Sequence, residues 1–129
     1  YKTIIHVDAK VANFCFNEDG SQVSAVDFQY VGGGVGVKDL VYFLGSCLTE
    51  DECQIYEQEL LDFYFRELKL AASDLSQNET DALDQEWRQL YSVAWADFNR
   101  FLLGWMPTHQ KLTKHALAKN KKALEFLKS

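Results

Sequence analysis

The sequence has a single proline, Pro107, and no apolar run near the ~20 residues a membrane-crossing helix needs; its longest candidate, Leu40 to Leu44, is far too short. No charged-then-apolar leader opens the chain, so a soluble protein with no membrane partner is expected. Cysteine is also scarce. Cys15, Cys47 and Cys53 are an odd number without a C-x-x-C pair, which excludes a disulfide framework or a zinc site and fits a reducing, cytoplasmic setting. Basic charge is the third deficit. Residues 1 to 107 carry 7 basic against 18 acidic side chains, and 6 lysines gather in residues 108 to 129 against Glu125 alone. An acidic body excludes nucleic acid as the main ligand, because phosphate contacts need a basic surface, and the lysine-rich tail reads as a solvated helix face.

What is present is apolar and aromatic. With 129 residues, 47% of them hydrophobic and 14% aromatic, the chain can bury a sizeable core and is expected to form one domain. It enters a strand-like segment almost directly after Tyr1, and a preceding portion of chain is expected.

The first 30 residues alternate short apolar runs with polar loops. Thr3 to Ile5, Phe14 to Phe16 and Val23 to Phe28 read as strands, and Asn17-Glu18-Asp19-Gly20-Ser21 has the composition of a hairpin turn. The segment Gly32 to Gly36 reads as a loop whose glycines permit backbone angles closed to other residues. Helical periodicity follows. A short helix covers Asp39 to Cys47, and Thr49 with Glu52 forms a capping box that starts a helix to about Ala72. Its core face is read as Cys53, Tyr56, Leu60, Phe63, Tyr64 and Leu68. After a polar break at 73–78, Leu83, Trp87, Leu90, Tyr91, Ala94, Phe98, Leu102 and Trp105 mark a long helix ended by Gly104 and Pro107. A lysine-rich helix over about Thr113 to Lys128 closes the chain. The class is α+β: a small hairpin carrying polar loops, backed by a mainly helical bundle.

Two polar clusters sit at strand ends: His6 to Asn13, and Asp27-Phe28-Gln29. A hairpin between Asn13 and Asp27 returns the chain to its start, so a carboxamide and a carboxylate converge near a second carboxylate, Asp8. Phosphoryl transfer needs oxygen ligands for magnesium on a nucleotide, a carboxylate to orient the attacking hydroxyl, and nearby positive charge. Asn13 and Asp27 supply the first, Asp8 the second and Lys10 the third.

His6-Val7-Asp8 with Asn13 five residues on, then Asp27-Phe28-Gln29, resembles the catalytic loop and metal-binding segment of the aminoglycoside phosphotransferase and choline kinase family. The stretch from Gly32 to Leu44 resembles the glycine segment and following Asp-Leu helix of that family, including its ecdysteroid-kinase-like branch. The resemblance implies the C-terminal lobe of a kinase-like fold. ATP and magnesium are the implied cofactors, and a small-molecule hydroxyl is the acceptor. By the same resemblance Asp8 is the catalytic aspartate, Asn13 and Asp27 are the metal ligands, and His6 is a structural member of the loop. No glycine-rich strand pair or phosphate-gripping lysine precedes the loop in this sequence, so the N-terminal nucleotide lobe is expected to lie outside it and the chain alone is expected to turn over little.

Val7 stands where that family usually carries glycine, and a β-branched residue there would be strained if the loop needs positive φ. A weakened pseudokinase or scaffold is therefore the alternative reading. The glycine segment lacks the Gly-Lys-Ser/Thr of a phosphate loop, and Cys15 and Val26 occupy positions where a calcium loop needs carboxylates. Trp87, Tyr91 and Trp95, with Glu86 or Asp97, read as core before they read as a cation pocket. Asp39 either supports the active loop or caps its helix, with capping the default, and His109 and His115 read as surface residues.

Overall fold

The computed structural model describes residues 1–129 and has four short strands and four helices. The strands are β1 (Thr3–Ile5), β2 (Phe14–Phe16), β3 (Val23–Ala25) and β4 (Gly32–Gly34). They pair as two nested antiparallel ribbons. The inner hairpin sets Phe14 opposite Ala25 and Phe16 opposite Val23, while the outer pair sets Thr3 opposite Gly34 and Ile5 opposite Gly32. Nesting has one structural consequence: the loops 6–13 and 26–31 both leave between the ribbons and lie side by side. The turn of the inner hairpin forms as its composition predicts, with Gly20 at φ 70° and Asn17 Oδ1 accepting the Gln22 amide at 2.9 Å.

Residues 32–34 differ from expectation. They are a strand, not a loop, and none of them has positive φ. Close approach explains the glycine instead: a Cβ on Gly34 would collide with the Ile5 side chain, and one on Gly36 with Tyr64 and Trp87.

The helices are α1 (Val37–Cys47), α2 (Glu50–Ala71), α3 (Gln77–Trp105) and α4 (Lys114–Lys128). Thr49 and Glu52 make the predicted reciprocal cap of α2, and Thr113 caps α4. Helix α3 begins earlier than its apolar pattern suggests, because Ser76 and Glu79 form a second capping box that the same signature detects. The core lies between the helices: Val37, Val41 and Leu44 of α1 and Leu61 and Phe65 of α2 pack on Leu83, Trp87, Tyr91, Trp95, Phe98 and Leu102 of α3. Trp87 and Trp95 are each 2% exposed, so these aromatics are core and line no cation pocket.

The buried face of α2 is turned from the one its periodicity suggests. Cys53, Glu57, Leu61 and Phe65 are buried, whereas Tyr56 and Phe63 are about half exposed. The cause is a carboxylate. Glu57 Oε1 accepts from Tyr91 Oη at 2.8 Å and from Trp95 Nε1 at 3.1 Å, and Oε2 meets His115 Nε2 at 3.1 Å and the Lys119 ammonium. Four partners on α3 and α4 make burial of this charge tolerable and draw its helix face inward. His115 is accordingly a buried-network residue rather than a surface one.

Candidate functional site

Asp8 follows β1 in a loop whose shape is enforced from α1. Val7, just before it, has φ 72°, a left-handed conformation that a β-branched residue adopts only under constraint. The constraint is Asp39, whose Oδ2 accepts the His6 amide at 2.6 Å and whose Oδ1 accepts the Val7 amide at 2.9 Å. Asp39 thus supports the loop and does not cap its helix, since the position before α1 is Gly36 and no side chain caps it. On the far side of Asp8, Ser46 Oγ accepts the Val11 amide at 2.7 Å and donates to Phe43 O at 2.8 Å.

His6 ties the two loops together. Its Nε2 donates to Val26 O at 2.8 Å and its Nδ1 accepts the Asp8 amide at 3.3 Å, an arrangement that specifies the neutral Nε2–H tautomer. The ring also lies 5.1 Å from that of Phe28.

The candidate polar atoms of this loop meet around Asp8. Asn13 Nδ2 donates to Asp8 O at 2.8 Å and to Asp8 Oδ2 at 2.9 Å, and Lys10 Nζ reaches the same Oδ2 at 2.8 Å. Burial pushes the Asp8 carboxyl up, but the hydrogen bonds from Lys10 and Asn13 and the charge of Lys10 outweigh it and hold the group below the ordinary carboxylate range. The bond to Asp8 in turn raises Lys10 above its usual value. Asp8 is therefore an anion at neutral pH. Asn13 O accepts the Val26 amide at 2.9 Å, which fixes the next residue, Asp27, beside Asn13. Asp27 has φ 63°, is exposed, and accepts no hydrogen bond from the chain.

Asp8, Lys10 and Asp27 line one cleft of about 810 Å³. Its other wall is aromatic, with Tyr42 from α1 and Phe98, Phe101 and Trp105 from α3. The Phe101 and Trp105 rings stack 6.1 Å apart, and His109 lies 5.7 Å from Trp105, so His109 is a cleft residue rather than a remote surface one. Asp97 at this wall is already paired, with Lys38 at 3.1 Å and Arg100 at 2.7 Å. The sequence carries no motif for this wall; the three-to-four spacing of Phe98, Phe101 and Trp105 shows only that they share a helix side.

The donor set around Asp8 is hard oxygen. Asn13 directs its amide protons to Asp8 O and Oδ2, its Oδ1 accepts no hydrogen bond from the chain, and the Asp27 carboxylate is equally uncommitted. Two such oxygens are of the hard type that a divalent cation such as magnesium takes. They are too few to cage a metal alone, consistent with the absence of any cluster of three or more His, Cys, Asp or Glu.

The model of the ecdysteroid kinase-like family matches residues 1–77, a span holding the four strands, the loops 6–13 and 26–31, α1 and α2. No curated protein and no solved structure matches the chain.

Proposed function

The chain belongs to the ecdysteroid kinase-like family, and from that premise we propose that it carries the acceptor-orienting and magnesium-holding half of a small-molecule phosphotransferase. The observation that carries this reading is the convergence of Asp8, Lys10 and Asp27 on one cleft, with the Asn13 amide bonded to the Asp8 carboxylate. Asp8, an anion whose Oδ2 is held by Lys10 and Asn13, accepts the proton side of an incoming hydroxyl and aims its oxygen. Lys10 places positive charge beside it, where negative charge develops on the transferring group. Asn13 Oδ1 and Asp27 would hold magnesium, which, with ATP bound, neutralises phosphate charge.

The acceptor end favours an alcohol with an apolar or weakly hydrated face over a polycation such as an aminoglycoside. Asp97, the carboxylate at the aromatic wall, is occupied by Lys38 and Arg100, so no free anion there awaits a substrate ammonium. Tyr42, Phe98, Phe101 and Trp105 offer ring faces and edges for an apolar skeleton.

The test is magnesium-dependent ATP binding by the full-length protein, followed by phosphoryl transfer to a panel of hydroxyl compounds. Asp8→Asn should keep ATP binding within about twofold and lower turnover by at least about a hundredfold; unchanged turnover would show that Asp8 is not the orienting base. One observation favours a second reading, a weakened or binding-only kinase: the strained Val7 next to Asp8. Binding of MgATP without transfer to any acceptor or to water would support it.

A further inference from the structure

We propose that Tyr42 is a positioning residue for phosphoryl transfer, its hydroxyl fixing the one oxygen of Asp8 that the rest of the chain leaves open. The inference rests on the phosphotransferase reading above and adds a residue to it. Its basis is the register of α1 along the catalytic loop. Asp39, Tyr42 and Ser46 stand three and four residues apart and so share one helix face. Asp39 binds the amides of His6 and Val7, before Asp8, and Ser46 binds the amide of Val11, after it. Tyr42 lies between these two anchors and is therefore level with Asp8, and both line the same cleft.

The ring is held as firmly as the anchors. Tyr42 meets Phe98 edge-on at 4.9 Å. Phe98 in turn is pressed against Gly45, one turn along α1 from Tyr42, where a Cβ would come within 2.7 Å of the Phe98 ring. The absence of a side chain at Gly45 lets α3 bring Phe98 under Tyr42, and this fixes the direction of the phenol.

Lone-pair counting gives the hydroxyl its task. An ionised carboxylate offers about four acceptor sites. Lys10 and Asn13 take two, both on Oδ2, and no group of the chain donates to Oδ1. A donor on Oδ1 stops the carboxylate from rotating and leaves one site for the acceptor hydroxyl, which is the geometry an orienting base requires. Tyr42 can be that donor. Burial first, and then the charge of Asp8, raise its pKa, so the phenol keeps its proton at neutral pH.

The experiment uses water as the acceptor, so that no substrate need be known: MgATP hydrolysis by the full-length protein, comparing wild type, Tyr42→Phe and Asp8→Asn. Phenylalanine keeps the ring against Phe98 and removes only the hydroxyl. Expected for Tyr42→Phe are a melting temperature and an ATP KM equal to wild type and a kcat about tenfold lower. If Tyr42→Phe hydrolyses at the wild-type rate while Asp8→Asn is inactive, the positioning role is overturned and the phosphotransferase reading stands. If kcat falls only in step with a lower melting temperature, the residue is a packing element and the proposal fails. If the wild type neither binds nor hydrolyses MgATP, both fall together.

Discussion

Two residues at the site sit in the left-handed region, Val7 at φ 72° and Asp27 at φ 63°; aspartate tolerates it, a β-branched valine does not. Left-handed geometry costs an L-residue about 1–2 kcal/mol, with β-branched residues at the upper end. At Val7 the two hydrogen bonds to Asp39 offset it, each being charge-assisted. Val7→Gly should therefore relieve the strain, countered in part by the ~0.5–1 kcal/mol that glycine loses in chain entropy. The expected net is a gain of up to about 1 kcal/mol, read as a higher urea midpoint with an unchanged slope. A fall in midpoint would mean that the valine side chain contributes more packing at the cleft wall than its backbone costs. The residue types of this loop were legible from spacing alone. Its constraint was not, because Asp39 is 32 residues away from Val7 in the chain and reads by default as a helix cap.

At the scale of elements, the inner hairpin was foreseeable from turn chemistry and short apolar runs, and the helices from capping boxes and three-to-four periodicity; the outer ribbon was not, because its second strand is three glycines that read as a loop. The rotation of α2 was not. A glutamate at position 57 breaks an apolar pattern when read along the chain, and only the arrival of Tyr91, Trp95, His115 and Lys119 from two later helices makes it a core residue. This network fastens α4 to the body. Lys119→Ala removes one partner of a buried pair, which typically costs about 3–5 kcal/mol because the remaining charge stays buried; hydrogen exchange should show α4 opening first in that variant. Acid should act at the same point. Burial pushes the Glu57 carboxyl up, but hydrogen bonds from Lys119 and Tyr91 and the charges of Lys119 and His115 prevail and hold it below its ordinary value. A folded pKa below the unfolded one gives stability that is complete above the ordinary carboxylate range and is lost as pH falls through the folded value. Wild type should thus lose more stability than Glu57→Gln between about pH 5 and about pH 3. Parallel acid curves for the two proteins would remove Glu57 from this role.

Across the whole molecule, stability and the candidate chemistry reside in different places. The core is a helical cluster centred on Trp87, Trp95 and Phe98, whereas Asp8, Asn13 and Asp27 come from loops between two-stranded ribbons of three residues a strand. Such ribbons are too small to be stable alone, so the loops take their rigidity from α1 through Asp39 and Ser46. This separation predicts opposite behaviour for two substitutions. Trp87→Ala, deep in the core and far in sequence from the loops, should cost about 3–5 kcal/mol by the cavity it leaves. Asp27→Gly should change stability by less than about 1 kcal/mol, because it removes an exposed side chain that accepts no hydrogen bond, and release of a residue held at positive φ offsets glycine's loss of chain entropy. The same change should abolish magnesium-dependent ATP binding in the full-length protein, measured by calorimetry with and without the cation. A stable Asp27→Gly protein that still binds MgATP like wild type would show that the carboxylate's exposure serves something other than the cation. A residue that is neutral or unfavourable for folding and indispensable for binding is what a ligand site leaves behind when the scaffold alone is considered.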